Sequence, residues 1–366
     1  MKRYDGMQPM KQAQVSKPFP PPFYSCGGFK TRYQEELNRF QTPFGRRFMV
    51  TSIICLFGLM PFISNDYILH LLNIICIYAI VGVGLNILTG YTGQLSLGHG
   101  AFFGIGAYTG ALLAAKAGLP FFIVIPIAGI AASMIGSIFA LPAVRLKPIY
   151  LPTATLAGQF IVEYILLHWD SLTGGSKGLA IPAPTLAGLN LGGNLSLFYI
   201  TAICLLLLAW LTNNLLRSKI GRAFLAIRQN ERAASAMGIE IFPLKLLAFS
   251  VSSFFAGVGG ALFAYNTGTI TPTLFNLTLS MEFFAVIIIG GIGSISGSMV
   301  GALVIVSLNE ILTFFTGYFM GEGMPLMSLH EFLLGLVIVM FMIFKPEGLA
   351  RIWRDIKRGF RRWPFS

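Results

Sequence analysis

Apolar runs close to twenty residues long recur along most of this 366-residue chain. A helix of that length spans the roughly 30 Å of a bilayer's hydrocarbon core, because each residue rises about 1.5 Å. Hydrophobic residues make up 55% of the chain and charged residues 11%, which excludes an ordinary soluble globule. The fold class predicted is an all-α polytopic membrane protein with about ten transmembrane helices. Reading apolar windows with their flanks places them near 48–64, 67–88, 97–116, 119–140, 149–168, 195–215, 244–266, 279–291, 295–316 and 328–345.

The net charge of +12 suits nucleic acid less well than it suits a membrane, because the basic residues cluster between the apolar runs. With the amino terminus inside, 24 of the 26 Lys and Arg residues fall on the inner side. Nine precede the first span, Arg145 and Lys147 follow the fourth, six lie in 216–245 and seven in 345–366; only Lys116 and Lys177 fall outside. Both termini are therefore expected in the cytoplasm. Residues 1–47, with the Pro-rich "KPFPPPF", read as a polar cytoplasmic extension without a secretory signal. Residues 48–345 read as the transmembrane domain, with a cytoplasmic loop at 217–245, and 346–366 as a basic cytoplasmic tail. The cysteines Cys26, Cys55, Cys76 and Cys204 show no metal-ligand spacing, so no metal site is expected.

Against this apolar background the stretch "GYTGQLSLGHGAFFGIGAYTG", residues 90–110, stands out with seven glycines in 21 positions. Gly90, Gly93, Gly98 and Gly100 interrupt a helix and free backbone groups, which hydrocarbon tolerates only where the break is buried in protein or lines a wet cavity. The break is expected to border a path, with Gln94, Ser96 and His99 as candidate lining. A similar break, "GGIGSISGSMVGA" at 290–302, carries Gly290, Gly291, Gly293 and Gly297. Two such breaks suggest a repeated half-structure with a path at its interface. The plainer reading is that these glycines let helices pack closely, as small residues at four-residue spacing do.

The loop "RSKIGRAFLAIRQNERAASAMGIEIFPLK", 217–245, is predicted to hold one short amphipathic helix stopping at Gly238. It suits either a docked partner or anionic lipid headgroups. Acids inside spans are expensive and mark a cavity or a partner, so Glu163, Glu282 and Glu310 are further path candidates, Glu310 lying deepest in its span.

In combination, "GYTGQLSLGHGAFFGIGAYTGALL", "WDSLTGGSKGLAIP", "IGRAFLAIRQNERAASAMGI", "LLAFSVSSFFAGVGGALFAY", "GGIGSISG" and "FKPEGL" closely resemble the permease subunits of branched-chain amino-acid ABC importers. The resemblance runs from about 67 to 350. It implies a broken-helix importer permease of the bacterial inner membrane that pairs with a second, related permease, two cytoplasmic ATPases and an extracytoplasmic substrate-binding protein. It also implies that Gly221, Arg222, Ala226, Arg228, Ala233, Ala234 and Gly238 match the family segment that couples to the ATPase. One departure bears on substrate identity: where the family commonly carries Glu and then Arg, this chain has Phe160 and Glu163.

The residues agree with that division of labour. "GGSKG" at 174–178 has the wrong order for a phosphate-binding loop, so ATP and Mg are expected on partner subunits and no cofactor on this chain. No catalytic constellation appears: His70, His99, His168 and His330 are scattered, and there is no Gly-x-Ser-x-Gly elbow. What the resemblance implies is therefore a non-enzymatic, ATP-driven permease for leucine, isoleucine or valine. Import of urea or short amides, and an ATP-independent carrier or channel, stand as alternatives.

Overall fold

A computed structural model of the chain describes residues 65–145, 150–186, 189–190, 192–320, 326–344, 348–352 and 355. The predicted span at 48–64, the extension 1–47 and most of the tail 346–366 lie outside the described residues. The other nine predicted spans all fold as helices, with ends shifted by a few residues: α1 (Asp66–Asn86), α2 (His99–Ala115), α3 (Phe121–Arg145), α4 (Leu151–His168), α6 (Asn194–Arg217), α9 (Ile241–Thr267), α10 (Leu277–Gly290), α11 (Ile295–Met320) and α12 (Leu326–Phe344). By length and composition, five stretches can each cross a bilayer: 66–91, 121–142, 194–217, 241–267 and 295–314.

Two helices form the axis of the bundle. α1 and α9 are buried along most of their length, α9 packing along α3, α2 and α1, and α1 along α11, α6 and α10. Their sequences explain the position, since both are apolar all round and carry small residues where neighbours approach. A Cβ on Gly106 of α2 would strike the Gly257 backbone of α9, and one on Gly110 would lie 3.1 Å from the Ala261 methyl. Likewise Gly301 of α11 meets Val286 O, and Gly290 meets Gly297 O. At each of these glycines the neighbouring backbone or side chain lies where a Cβ would be.

The periphery has the opposite pattern. Met134 and Ile138 on α3, Ile203 and Trp210 on α6, and Phe314 on α11 are exposed, and large apolar side chains left uncovered in this number suit contact with lipid or a partner helix. The sequence predicted no strands, and two small ladders qualify the all-α description. Leu179–Ala180 (β1) pairs antiparallel with Thr269–Ile270 (β4), and Thr185–Leu186 (β2) with Leu189–Asn190 (β3). The first tethers the α4–α6 connection to the end of α9, helped by Gly174 and Gly178 at φ +73°. A one-turn helix, α5 (Asp170–Thr173), lies in the same connection.

Candidate functional site

The polar chemistry of the bundle concentrates where the two glycine-rich breaks meet. α1 ends at Asn86 and continues as a wide turn, Ile87–Tyr91, before the chain runs without helix to Gly98. Gly93 supplies the left-handed backbone (φ +74°) that the reversal requires. Local side chains recover the freed backbone groups. Thr92 Oγ1 donates to Leu88 O at 2.5 Å, and Thr89 Oγ1 donates to Gln94 O at 3.0 Å.

The start of α2 has no cap of its own, because Gly98 has no side chain. Distant residues cap it instead. Leu97 N donates to Thr155 Oγ1 (3.0 Å), Gly100 N to Ser280 Oγ (2.8 Å) and Ala101 N to Gln159 Oε1 (2.6 Å). Gln159 is bonded at both ends, its Nε2 donating to Phe275 O at 2.7 Å and its Oε1 also accepting from Ser280 Oγ at 3.0 Å.

The second break, 291–294, turns on Gly291 (φ +115°) and Gly293 (φ +85°). Asn86 joins it to the first. Its Nδ2 donates to Ser294 O (2.9 Å) and Ser298 Oγ (2.7 Å), while Gly293 N donates to its Oδ1 (2.7 Å). A Cβ on Gly90 would fall on Asn86 Oδ1 and within 2.6 Å of Gly293 N, so glycine there lets the two breaks touch.

A polar elbow closes over this junction. It comprises two helices, α7 (Lys219–Gln229) and α8 (Glu231–Ala236), where one was predicted. The division is made by Asn230, whose Oδ1 accepts from Arg232 N (3.0 Å) and Ala233 N (3.1 Å) and so starts a new helix. The predicted stop holds: Gly238 takes φ +80° just past α8. Gly221, Phe224 and Ile227 form the packed face of α7, whereas Arg222, Leu225 and Met237 point away from the bundle. Of the apolar positions that suggested one stripe, Ile227 and Ala234 are buried, Ala226 is half-buried, and Ala233 and Met237 are exposed.

The elbow is fastened at two points. Arg228 donates from Nη1 to Gly90 O. Its stem would lie 3.3 Å from a Cβ on Gly93, and its Nη1 would lie 3.2 Å from one on Gly293. The second point is the ion pair between Lys245 Nζ on α9 and Glu231 on α8, at 2.6 Å. Between elbow and first break lies an open cleft of about 510 Å³, lined among others by Thr92, Gly93, Ile227, Arg228 and Glu231.

The candidate path residues fall into two groups. Gln94, Ser96 and His99 share one buried strip at the first break. His99 is fully buried, Nδ1 lying 3.0 Å from Ser96 Oγ and Nε2 2.7 Å from Ser252 Oγ, so it bonds two hydroxyls and no backbone carbonyl. Both side-chain amide atoms of Gln94 are buried without a partner among the described residues. The acids lie apart. Glu282 accepts from Tyr78 OH at 2.7 Å, Glu310 pairs with Tyr67 OH, and Glu163 is half-buried on α4. At about 1.5 Å per residue, Tyr67 stands about 34 Å along the helix from Gly90 and Tyr78 about 18 Å. Glu310 thus meets the first turn of α1, and Glu282 its middle.

Asn86, Thr155, Gln159, Ser252 and Ser280 were not singled out by the sequence reading, yet they hold the breaks. Asn86 had one signal, an isolated polar residue in the apolar run "VGLNIL". Among the described residues no group of His, Cys, Asp or Glu could hold a metal ion.

Residues 67–342 match the family described as the permease component of branched-chain amino acid transport systems. The chain is similar to the high-affinity branched-chain amino acid transport system permease protein LivM of Escherichia coli, at 33% identity over 84% of this chain and 76% of that one. It is similar to the probable branched-chain amino acid transport permease protein LivM of Methanocaldococcus jannaschii, at 27% identity over 78% of this chain and 94% of that one. A third similarity is to the permease protein LivH of the Escherichia coli system, at 25% identity over 74% of this chain and 90% of that one. No solved structure gives a significant match.

Proposed function

The chain belongs to the family of permease components of branched-chain amino acid transport systems, and from that membership we propose how it works as the membrane subunit of an ATP-driven importer of leucine, isoleucine and valine. It is a transport protein and not an enzyme. Its partners in this reading are a second permease of the LivH kind, two cytosolic ATPases that bind ATP and Mg, and an external binding protein that selects the solute. In this reading the chain sits in the inner membrane and crosses it ten times with both termini in the cytosol, an orientation that the distribution of Lys and Arg supports.

The observation that carries this reading is the elbow. α7 and α8 are anchored on their inner side and leave Arg222, Leu225 and Met237 uncovered, Met237 at 84% exposure. Leu225 on α7 and Met237 just past α8 give this outward side an apolar surface that a docked partner can cover. The elbow rests on both glycine-rich breaks, so ATPase closure pushes on the segments that border the path. The path is lined at the first break by Gln94, Ser96 and His99. Selection by an external protein lets so few polar groups suffice.

Vesicles holding the complete complex test this. Leucine should accumulate only with ATP on the ATPase side and binding protein on the other. Replacing Arg222 and Ala226 together by Asp should release the ATPases from the purified complex and stop uptake. Concentrative uptake by this chain alone would overturn the reading in favour of a carrier.

A further inference from the structure

Seven residues of the elbow match the family's coupling segment, but the structure separates them by direction. Arg222 lies on the outer face, its Nη1 reaching back only to Arg217 O at 3.3 Å. Arg228, six residues on and so on a different face, is exposed as a residue but its guanidinium reaches back to the bundle. Its guanidinium enters the angle between the two breaks, donating to Gly90 O and lying beside Gly293. Both glycines are also tied to Asn86, which Gly293 N donates to and which a Cβ on Gly90 would strike. One arginine therefore touches the elbow's own helix, the break between α1 and α2, and the break between α10 and α11.

We propose that Arg228 is a positioning residue that transmits displacement of the elbow to both glycine-rich breaks, and does not serve as a docking contact for the ATPase. The proposal rests on the importer reading for its consequence, and on the geometry alone for its mechanism. Arginine suits the role because its planar fork can hold a carbonyl while its edge lies against a second backbone segment. A lysine at the same place offers a single compact charge and keeps only part of this. The Glu231–Lys245 pair fixes the far side of the elbow to α9, so a push on α7 pivots about α8 and is felt at Gly90 and Gly293.

The test uses purified full-length chain in lipid nanodiscs, read by hydrogen exchange. The amides of Gln94, Leu97 and Gly293 are protected by Leu88 O, Thr155 Oγ1 and Asn86 Oδ1. In Arg228→Ala these amides should exchange about tenfold faster in both breaks, with Arg228→Lys in between. Arg222→Ala should leave them at the wild-type rate. In vesicles with the complete complex, Arg228→Ala should retain bound ATPase while solute imported per ATP hydrolysed falls about tenfold, within the usual range of coupling between sites. If Arg228→Ala does not accumulate, Arg228→Lys decides through the same measurements. Unchanged exchange in either break, or loss of the ATPases from the Arg228 variants, would overturn the proposal. A wild-type complex that imports nothing with ATP would sink the importer reading, while the exchange rates would still decide the latch.

Discussion

His99 shows how much one side chain can hold at a helix break. The imidazole bridges Ser96, three residues before it, and Ser252, 153 residues away, so both ring nitrogens are engaged. A neutral ring does this by donating through one nitrogen and accepting through the other. His99→Ala leaves two buried hydroxyls unpaired and opens a cavity, for an expected loss of about 2–4 kcal/mol, read as a lower unfolding midpoint in detergent. His99→Gln keeps a donor and an acceptor and should recover at least half of that loss. Equal midpoints for the two variants would show that the hydroxyl contacts contribute nothing. The residue's place in the break was legible from the glycines around it. Its partners were not, because Ser252 lies in an apolar run like any small residue until α9 packs against α2.

At the scale of elements, the elbow and the helix crossings follow rules of different visibility. Glycine rows announced close approach, and α2 crosses α9 at Gly106 and Gly110 accordingly. Gly106→Ala should overpack that crossing by about 1–3 kcal/mol. Gly335→Ala on α12, where a Cβ meets nothing within 4 Å among the described residues, should instead gain up to about 1 kcal/mol from helix propensity. Thermal midpoints of the two purified variants, moving in opposite directions, check the pair. The elbow read as one helix because its apolar spacing continues through Asn230, and the side-chain cap overrode that continuity. The ion pair beyond it was hidden too, since Lys245 looked like one more inner-side charge and is 5% exposed. Glu231→Ala strands a buried ammonium and should destabilise by about 1–3 kcal/mol, more than Lys245→Met, which leaves only a part-exposed carboxylate. Chemical denaturation of both variants reads the order.

At the scale of the whole molecule, charge and hydropathy speak to orientation and packing speaks to centre and rim. A fluorescent reporter that matures only in the cytosol, fused at residue 366, should light, and one inserted at Gly118 should stay dark. The reverse pattern would refute the proposed topology. The sequence by itself determined that the chain is helical and membrane-embedded, roughly where nine of its helices lie, and where two of them break. Those properties depend on local composition and on the length of an apolar run. Only the tertiary structure decided that α1 and α9 form the axis, that the two breaks touch through Asn86, that Arg228 turns inward while Arg222 turns outward, and that Glu310 sits by the first turn of α1. The reason is physical: an apolar run is equally content against lipid or against another helix, and a lone polar residue within it can be satisfied by any of several neighbours. The choice is made by which surfaces interlock, and that information is spread over residues more than a hundred positions apart.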